Sequence, residues 1–216
     1  MNLLILAANG QIARIVEHRI LTEAQFDDVQ LTLVLRNSQR LADLKNNERV
    51  TLVEGSITDA KVVNAAMKGQ DMVFVAVVDH VNDNVMTKVA LAAMAENRVK
   101  RIISTNILGI YNEVPGEFGR WNLEAVASNL QTAINADKLL AASGVDYTTL
   151  RLPWLNDRDE VKYAVTTKDQ PYLGVSGSRQ SVADVVLKIV ADPSYGLKDS
   201  LGMADPATQG EDRPVY

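Results

Sequence analysis

The sequence predicts an α/β protein with a doubly wound parallel sheet, in which helices cover both faces of the sheet and make three layers, α/β/α. Two observations predict this fold class. Six short segments are almost wholly apolar, as strands are when both faces of a sheet are covered, and a segment with helical spacing lies between each neighbouring pair. In addition, the first strand passes through a turn of small residues directly into a helix. Residues 1–216 are expected to form a single domain.

Strands are predicted where aliphatic and β-branched residues run together. These segments are Asn2–Leu6, Leu31–Leu35, Val50–Glu54, Asp71–Val78, Lys100–Thr105 and Val145–Leu152. Helices are predicted between them, because apolar residues return at every third or fourth position and glycines follow several of the ends. These helices are Gln11–Gln25, Ser38–Lys45, Asp59–Lys68, Asn82–Asn97 and a long helix that follows Trp121 and reaches about Ser143.

Beyond Pro153, which ends the sixth strand, we expect a short C-terminal strand pair and one more helix. The pair is predicted at Lys162–Thr167 and Tyr172–Val175, and the helix at Ser181–Ala191. About the last fifteen residues, which contain two prolines and a glycine, are predicted to be irregular.

Composition argues against several classes of function. The net charge of -5 and the lack of any run of Lys and Arg argue against a nucleic-acid surface. With no cysteine and only His18 and His80 as imidazole donors, neither a disulfide nor a metal site is expected. The apolar start is too short for a signal peptide, and no later apolar run is long enough to cross a bilayer. We therefore expect a cytoplasmic protein that makes no membrane contact.

The turn from Ala7 to Gly10 is the first candidate binding feature. A helix that starts directly after a strand presents unpaired backbone N–H groups and the positive end of the helix dipole, and both attract a phosphate. Small residues at positions 7, 10 and 13 repeat the Gly-x-x-Gly-x-x-Gly spacing of dinucleotide-binding turns, although only Gly10 is a glycine. Ala13 is a mild change, whereas Ala7 puts a methyl group at the first turn position. Taken alone, the segment is also compatible with a turn that binds no ligand.

Five motifs follow one another along the chain. They are the first turn, Arg36 after the second strand, Glu54–Asp59, Lys100–Thr105 and Arg151–Leu155. In this order they resemble the motifs of the atypical short-chain dehydrogenase/reductase group, whose fold is Rossmann-like. Within that group the chain is most similar to the small NmrA-like, NAD(P)H-binding proteins, from Met1 to about Ala191. The resemblance implies an oxidoreductase with a nicotinamide cofactor.

The resemblance also implies where the cofactor lies. The expected contacts are Asn9, Gly10, Gln11 and Ile12 for the pyrophosphate, Ser56 and Ile57 for the adenine, Ala76 and Val77 for the middle of the cofactor, and Pro153 and Trp154 for the nicotinamide. The family more usually carries an acid where Ser56 stands. Trp154 is as compatible with simple packing as with a nicotinamide contact.

Arg36 bears on the choice between NAD and NADP. An acid at the end of the second strand would hold the ribose 2′-hydroxyl of NAD, whereas a basic residue there pairs with the 2′-phosphate of NADP. Arg36, with Arg40 nearby, therefore favours NADP (NADPH) over NAD. The alternative is that Arg36 is a solvated surface cation.

The long helix departs from the family at the catalytic position. Active short-chain reductases have Tyr-x-x-x-Lys, in which the tyrosine gives a proton and the lysine holds the nicotinamide ribose. This chain has Ile134 and Lys138 at that spacing, so the lysine is kept and the acid is lost. Loss of a positioned general acid costs roughly a hundred- to ten-thousand-fold in rate, which argues against ordinary alcohol–ketone interconversion. Lys138 is expected to bind the ribose, and the alternative is an exposed helix lysine.

Four further side chains are candidates for the site. Ser104 and Thr105 are expected to end the fifth strand, where one of them orients nicotinamide or substrate or, alternatively, closes the last hydrogen bonds of the strand. His80, after the fourth strand, and Tyr111 are candidate replacement acids. A loop histidine is more often a solvated bystander.

Two functional hypotheses follow from the residues and the resemblance. The first is an NADPH-dependent reductase that passes hydride to a quinone- or flavin-like acceptor without a catalytic tyrosine, with Lys138, Ser104 and Thr105 as the catalytic candidates. The second is a non-catalytic, NmrA-like sensor of nicotinamide redox state that acts through a protein partner. A sugar epimerase or dehydratase is disfavoured, because it also relies on the missing tyrosine. A homodimer is compatible with the sequence.

Overall fold

The computed structural model describes residues 1–216 and contains ten strands. They are β1 (Asn2–Leu6), β2 (Gln30–Leu35), β3 (Val50–Glu54), β4 (Met72–Val75), β5 (Arg101–Ile107), β6 (Asp146–Leu152), β7 (Trp154–Asn156), β8 (Ala164–Thr166), β9 (Ser176–Ser178) and β10 (Asp199–Ala204). Eight strands form one sheet in the order β3-β2-β1-β4-β5-β6-β10-β8. All neighbours in it are parallel except β10 and β8, and β7 pairs with β9 in a separate small sheet.

Six α-helices and four short 3₁₀ helices connect these strands. The α-helices are α1 (Gln11–Thr22), α2 (Ala60–Met67), α3 (Val85–Asn97), α4 (Gly116–Ala125), α5 (Ala127–Ala142) and α6 (Arg179–Ala191). The 3₁₀ helices are Ala24–Phe26, Ser38–Leu44, Asn82–Asn84 and Pro206–Thr208. None of the helices combines the length and the apolar character needed to pass through a bilayer.

Side chains alternate along each strand, so both faces of the sheet are apolar. In β1, Leu3 and Ile5 pack with α1 and α6 in a cluster of 26 buried residues. Leu4 and Leu6 point to the other face and pack with α2, α3 and α5 in a cluster of 15. Burial on both faces explains why the strands read as nearly continuous apolar runs. The structure confirms the predicted doubly wound, Rossmann-like, three-layer fold.

The predicted long helix after Trp121 is two helices. The first, α4, already begins at Gly116, and Val126 separates it from α5 with a backbone (φ −100°, ψ 3°) that is not helical. The N–H of Val126 donates to the carbonyls of Asn122 and Glu124, which ends α4. Helical periodicity continues across this break, so the sequence gives no sign of it.

The predicted C-terminal strand pair is wrong in its residues. Lys162–Thr167 contains β8, but β8 pairs with β10 in the main sheet, and Tyr172–Val175 is not a strand. Its own side chain holds Tyr172 in place, because the hydroxyl lies within hydrogen-bond distance of the carbonyl oxygens of Met203 (2.9 Å) and Arg151 (3.1 Å). Its ring packs closely against Gly202: a Cβ added to this glycine would lie only 2.5 Å from Tyr172 Cε2.

No strand is predicted from the sequence over Asp199–Ala204, yet β10 lies between β6 and β8. Aspartate, serine and glycine interrupt the apolar pattern of this segment. Ser200 and Gly202 are nevertheless buried, because β6 and the ring of Tyr172 cover them. The sheet is therefore two strands wider than the sequence indicates.

Candidate functional site

The first turn lies at the carboxyl edge of β1. The Gly10 N–H donates to the Ala7 carbonyl (3.1 Å), and Ala7 has a φ of 65°. This is the left-handed conformation that a glycine adopts readily, and it costs alanine roughly 1–2 kcal/mol. The methyl group of Ala7 therefore strains the turn slightly but does not change its course.

Gly10 is the N-cap of α1, and no side chain caps this helix. The backbone N–H groups of Gln11, Ile12 and Ala13 donate no hydrogen bond within the protein. A Cβ on Gly10 would make ordinary contacts with the carbonyl oxygens of Ala7 (3.4 Å) and Ala76 (3.5 Å), so the protein itself would tolerate a side chain here. In dinucleotide-binding turns a glycine at this position lets the backbone approach the pyrophosphate closely. Free donors at the positive end of a helix fit a pyrophosphate. Asn9 lies half-buried in the same turn.

The ends of β2 and β4 flank this turn. Arg36 directly follows β2, and its side chain is exposed and makes no hydrogen bond or ion pair. The same holds for the side chain of Arg40. Ala76 and Val77 follow β4 and are half-buried, and the Ala76 N–H donates to the Leu6 carbonyl (3.0 Å). The structure thus brings the predicted pyrophosphate, 2′-phosphate and middle contacts to one edge of the sheet.

Ser56 and Ile57 follow β3 at the same edge. The Ser56 hydroxyl lies 2.7 Å from Thr58 Oγ1 and also accepts from the Thr58 N–H (3.2 Å), so it shapes its own turn. Ile57 is half-buried against the cluster beneath α2. Its exposed part offers an apolar surface beside the ends of β2 and β3.

Ser104 and Thr105 lie in the middle of β5, because this strand continues to Ile107. This corrects the prediction that they end it. Thr105 Oγ1 donates to the Val75 carbonyl (3.1 Å), which is the structural alternative considered for it. Ser104 is 8% exposed and pairs in register with Thr149 of β6 on the side of α5, and its hydroxyl makes no hydrogen bond.

Lys138 requires a second correction. The residues of α5 that pack inward are Ala133, Ala136, Asp137 and Leu140. At about 100° per residue, Lys138 projects roughly 150° away from the centre of that face. It is exposed and makes no hydrogen bond or ion pair, so the structure does not bring it to the other predicted site residues. Ile134 is half-buried on the flank of the helix.

Asp137, beside Lys138, is the polar residue that α5 turns toward the sheet. Its carboxylate accepts from Thr149 Oγ1 (2.7 Å) and from the Tyr111 hydroxyl (2.6 Å), and the residue is 5% exposed. Burial and the hydrogen bond to Asp137 raise the pKa of Tyr111 far above its usual range. Tyr111 is therefore a poor proton donor, although part of its ring faces solvent.

Arg151 is the largest fully buried side chain of the protein. Its Nη1 lies 2.9 Å from Glu113 Oε1, its Nη2 donates to the carbonyls of Thr166 and Ser200, and its guanidinium lies 5.6 Å from the centre of the Tyr111 ring. Glu113 also accepts from the N–H groups of Gly109 and Tyr111, which holds the loop after β5. In the sequence Arg151 stands out only as part of a family motif, because its network joins residues too distant along the chain for spacing to reveal.

Pro153 is buried, and Trp154 is half-buried just after the carboxyl end of β6, which pairs with that of β5. Its ring centre lies 4.8 Å from that of Trp121, which stacks in turn on Phe118. The Trp154 Nε1–H donates to Asn122 Oδ1 (3.0 Å), and this hydrogen bond fixes the orientation of the Trp154 ring.

His80 lies on the surface after β4, and its imidazole makes no hydrogen bond. Partial desolvation lowers its pKa, against the opposing effect of the neighbouring Asp79 carboxylate. Asp79 itself is bound to the N–H and hydroxyl of Thr87 (2.9 and 2.7 Å) and so holds the start of α3. His80 is thus mostly neutral at pH 7.

A model of the NAD(P)H-binding family matches residues 7–193. The chain belongs to this family. Membership of this family confirms the nicotinamide cofactor that the resemblance implies. No curated protein matches the chain in sequence.

Solved structures agree with the NAD(P)H-binding assignment. A short-chain dehydrogenase/reductase from Veillonella parvula in complex with NADP has 26% identity and a TM-score of 0.91, over 100% of this chain and 99% of that one. A Rossmann-fold NAD(P)-binding family protein from Shigella flexneri has 30% identity and a TM-score of 0.78, over 100% and 98%. ChuY, an anaerobilin reductase from Escherichia coli O157:H7, shares the fold (18% identity, TM-score 0.79, 98% and 100%). The resemblance to short-chain dehydrogenases/reductases is thus confirmed, whereas the NmrA-like subgroup and the individual site residues stay predictions.

Proposed function

We propose that the protein is an NADPH-dependent reductase that passes hydride to a quinone- or flavin-like acceptor. One observation supports this proposal most: a turn with free phosphate-binding donors adjoins a region whose polar groups are poor proton donors. Ile134 replaces the expected tyrosine, and Thr105 and Tyr111 donate to protein acceptors. Ser104 has a free hydroxyl, but an alcohol is too weak an acid to replace a phenol beside a lysine.

The preference for NADPH is proposed from the end of β2. Arg36 and Arg40 are exposed cations without a protein partner, so they have the capacity to pair with a 2′-phosphate. The NADP complex of the V. parvula relative, similar over the whole chain, supports the same choice. We assign the pyrophosphate contacts to Asn9, Gly10, Gln11 and Ile12. The other contacts that the resemblance implies are kept for Ser56, Ile57, Ala76, Val77, Pro153 and Trp154, but not for Lys138, which faces away from them.

The chemistry needs little from the protein beyond position. NADPH supplies a hydride, and a quinone or flavin that receives it becomes an anion delocalised enough to take its proton from water. The protein then has to hold the nicotinamide ring and the planar acceptor ring close together in the right orientation. Trp154 and Trp121 offer a rigid aromatic wall for this, and 38% of Tyr111 is exposed.

The test is NADPH oxidation, followed by absorbance, with a panel of quinones and flavins. We expect turnover with at least one acceptor, a preference for NADPH over NADH, and loss of most of that preference in Arg36→Ala. Arg98→Ala is the matched control, because Arg98 is an exposed arginine that follows α3 near the opposite, amino edge of β5. No oxidation of bound NADPH with any acceptor would refute the reductase.

Binding without oxidation would favour the other candidate, an NmrA-like redox sensor that acts through a protein partner. The loss of the catalytic tyrosine fits this candidate as well. It predicts that NADP and NADPH differ in affinity and that a partner is captured in one state only. A cytoplasmic location and a homodimer are also proposed, from the sequence alone.

A further inference from the structure

Glu54 is the last residue of β3 and lies at the same sheet edge as Arg36. Leu35 and Glu54 pair in register, and the Gly55 N–H donates to the Leu35 carbonyl (2.9 Å). The Cα atoms of Arg36 and Glu54 are therefore roughly 6 Å apart, from the spacing of strands and residues in a sheet. No ion pair joins the two side chains, so the cation and the anion both remain available to a ligand.

The carboxylate of Glu54 is bonded on one oxygen only. Oε2 accepts from the Ser38 N–H (2.8 Å) and from the Ser38 hydroxyl (2.6 Å), while Oε1 accepts nothing. The two bonds from Ser38 lower the pKa of Glu54, so the group is anionic at neutral pH. Glu54 thus engages the N–H and the hydroxyl of Ser38, two residues after Arg36, and presents Oε1 as a free acceptor.

We propose that Glu54 limits the preference for NADPH: it accepts a hydrogen bond from the ribose 2′-hydroxyl of NADH and opposes the 2′-phosphate of NADPH. The proposal rests on the cofactor part of the proposed function, with the adenosine ribose at the ends of β2 and β3. An acid usually does this from the end of the second strand. Here that position is Arg36, and the acid comes from the neighbouring strand.

The preference for NADPH is then the net result of opposed charges. Arg36 and Arg40 attract a 2′-phosphate, whereas Glu54 repels it and keeps the Ser38 donors engaged. A doubly charged phosphate that pairs with Arg36 and lies roughly 6 Å from the exposed carboxylate would be repelled by an amount that corresponds to about a tenfold change in affinity. The protein is accordingly expected to bind both cofactors, with a modest preference.

The experiment measures the Kd of the full chain for NADPH and for NADH by titration. In Glu54→Gln, which still accepts from Ser38, we expect the Kd for NADPH to fall about tenfold and the Kd for NADH to rise about threefold. Glu54→Asp keeps the charge and should stay near the wild type. Glu48→Gln is the charge-matched control, because Glu48 is exposed and precedes β3 at the opposite edge.

The outcomes separate this inference from the proposed function. A ratio of the two Kd values that is unchanged in Glu54→Gln, or that shifts as much in Glu48→Gln, overturns the role of Glu54 while cofactor binding stands. A wild type that binds neither dinucleotide overturns both. Thermal unfolding of each variant shows that the fold is intact, so a loss of affinity is not mistaken for a loss of structure.

Discussion

At the carboxyl edge of residues 1–80, the amino half of the sheet, the guanidinium of Arg36 and the N–H groups of Gln11 and Ile12 have no protein partner. At the same edge of residues 101–216, the carboxyl half, polar groups are buried against one another. Arg151 contacts Glu113 there, and Asp137 accepts from Tyr111 and Thr149. Polar groups without a protein partner are available to bind a ligand, whereas the paired, buried groups fix the positions of the side chains and loops beside it. Cofactor affinity and stability should therefore respond to different residues.

The largest expected effect comes from breaking the buried pair of the carboxyl half. Arg151→Ala should lower the free energy of unfolding by about 3–5 kcal/mol, because it leaves the carboxylate of Glu113 buried without a counter-charge. Urea unfolding measures this, and Arg36→Ala is the control, with an expected change within about 0.5 kcal/mol. Equal effects at the two arginines would remove the distinction between the halves.

Glu17 is the exception in the amino half and should give a pH-dependent effect. This carboxylate is buried on α1, has one oxygen without a partner and an ion pair to Arg14 (3.0 Å), and burial raises its pKa to about 8 from 4.5. A group with a raised folded pKa stabilises the protein in acid, and that stability is lost as the pH rises from about 4.5 through about 8. Glu17→Gln should thus become more stable than the wild type, by roughly 2–4 kcal/mol above pH 8.

Unfolding of wild type and Glu17→Gln at a series of pH values checks this prediction. The difference in the free energy of unfolding between the two proteins should grow between pH 5 and pH 8, because this range lies between the ordinary pKa of 4.5 and the folded pKa of about 8. A difference that is constant with pH would mean that Glu17 stays charged in the fold, held by Arg14.

Gly10→Ala should change binding and leave stability almost unchanged. Its Cβ would make ordinary contacts, at 3.4 and 3.5 Å, with two carbonyl oxygens of the protein. The same methyl group would cover the free donors of α1, so the Kd for NADPH should rise at least about tenfold. Calorimetric titration and thermal unfolding on one sample measure both quantities. A large loss of stability with intact affinity would contradict the assignment of this turn.

The smallest effect is expected at Ala7. Because Ala7 has a φ of 65°, Ala7→Gly should relieve strain and stabilise the protein by about 0.5–1 kcal/mol. Ala8→Gly, in the same turn at a buried site, should destabilise it instead. Thermal unfolding compares the two, and stabilisation by both or by neither would argue against strain at Ala7.

The amino half was predictable because its signals are local. Each of these signals, an apolar strand, the small residues of the turn or Arg36 at the end of a strand, is contained within a few consecutive residues. The carboxyl half was not, since Tyr111, Asp137 and Thr149 meet only after the chain has folded. Lys138 shows the same limit: a matching spacing of four residues did not indicate which face of α5 packs inward.

Strand β10 has a consequence for synthesis on the ribosome. It is the sheet neighbour of both β6 and β8, and residues 199–204 are translated after both. Until they leave the exit tunnel, β6 presents an unpaired backbone edge with apolar side chains, which is a template for association with other nascent chains. We expect ribosome-bound chains arrested before residue 199 to bind a holdase chaperone. Once residues 199–204 have left the tunnel and paired with β6, we expect the chains no longer to need it.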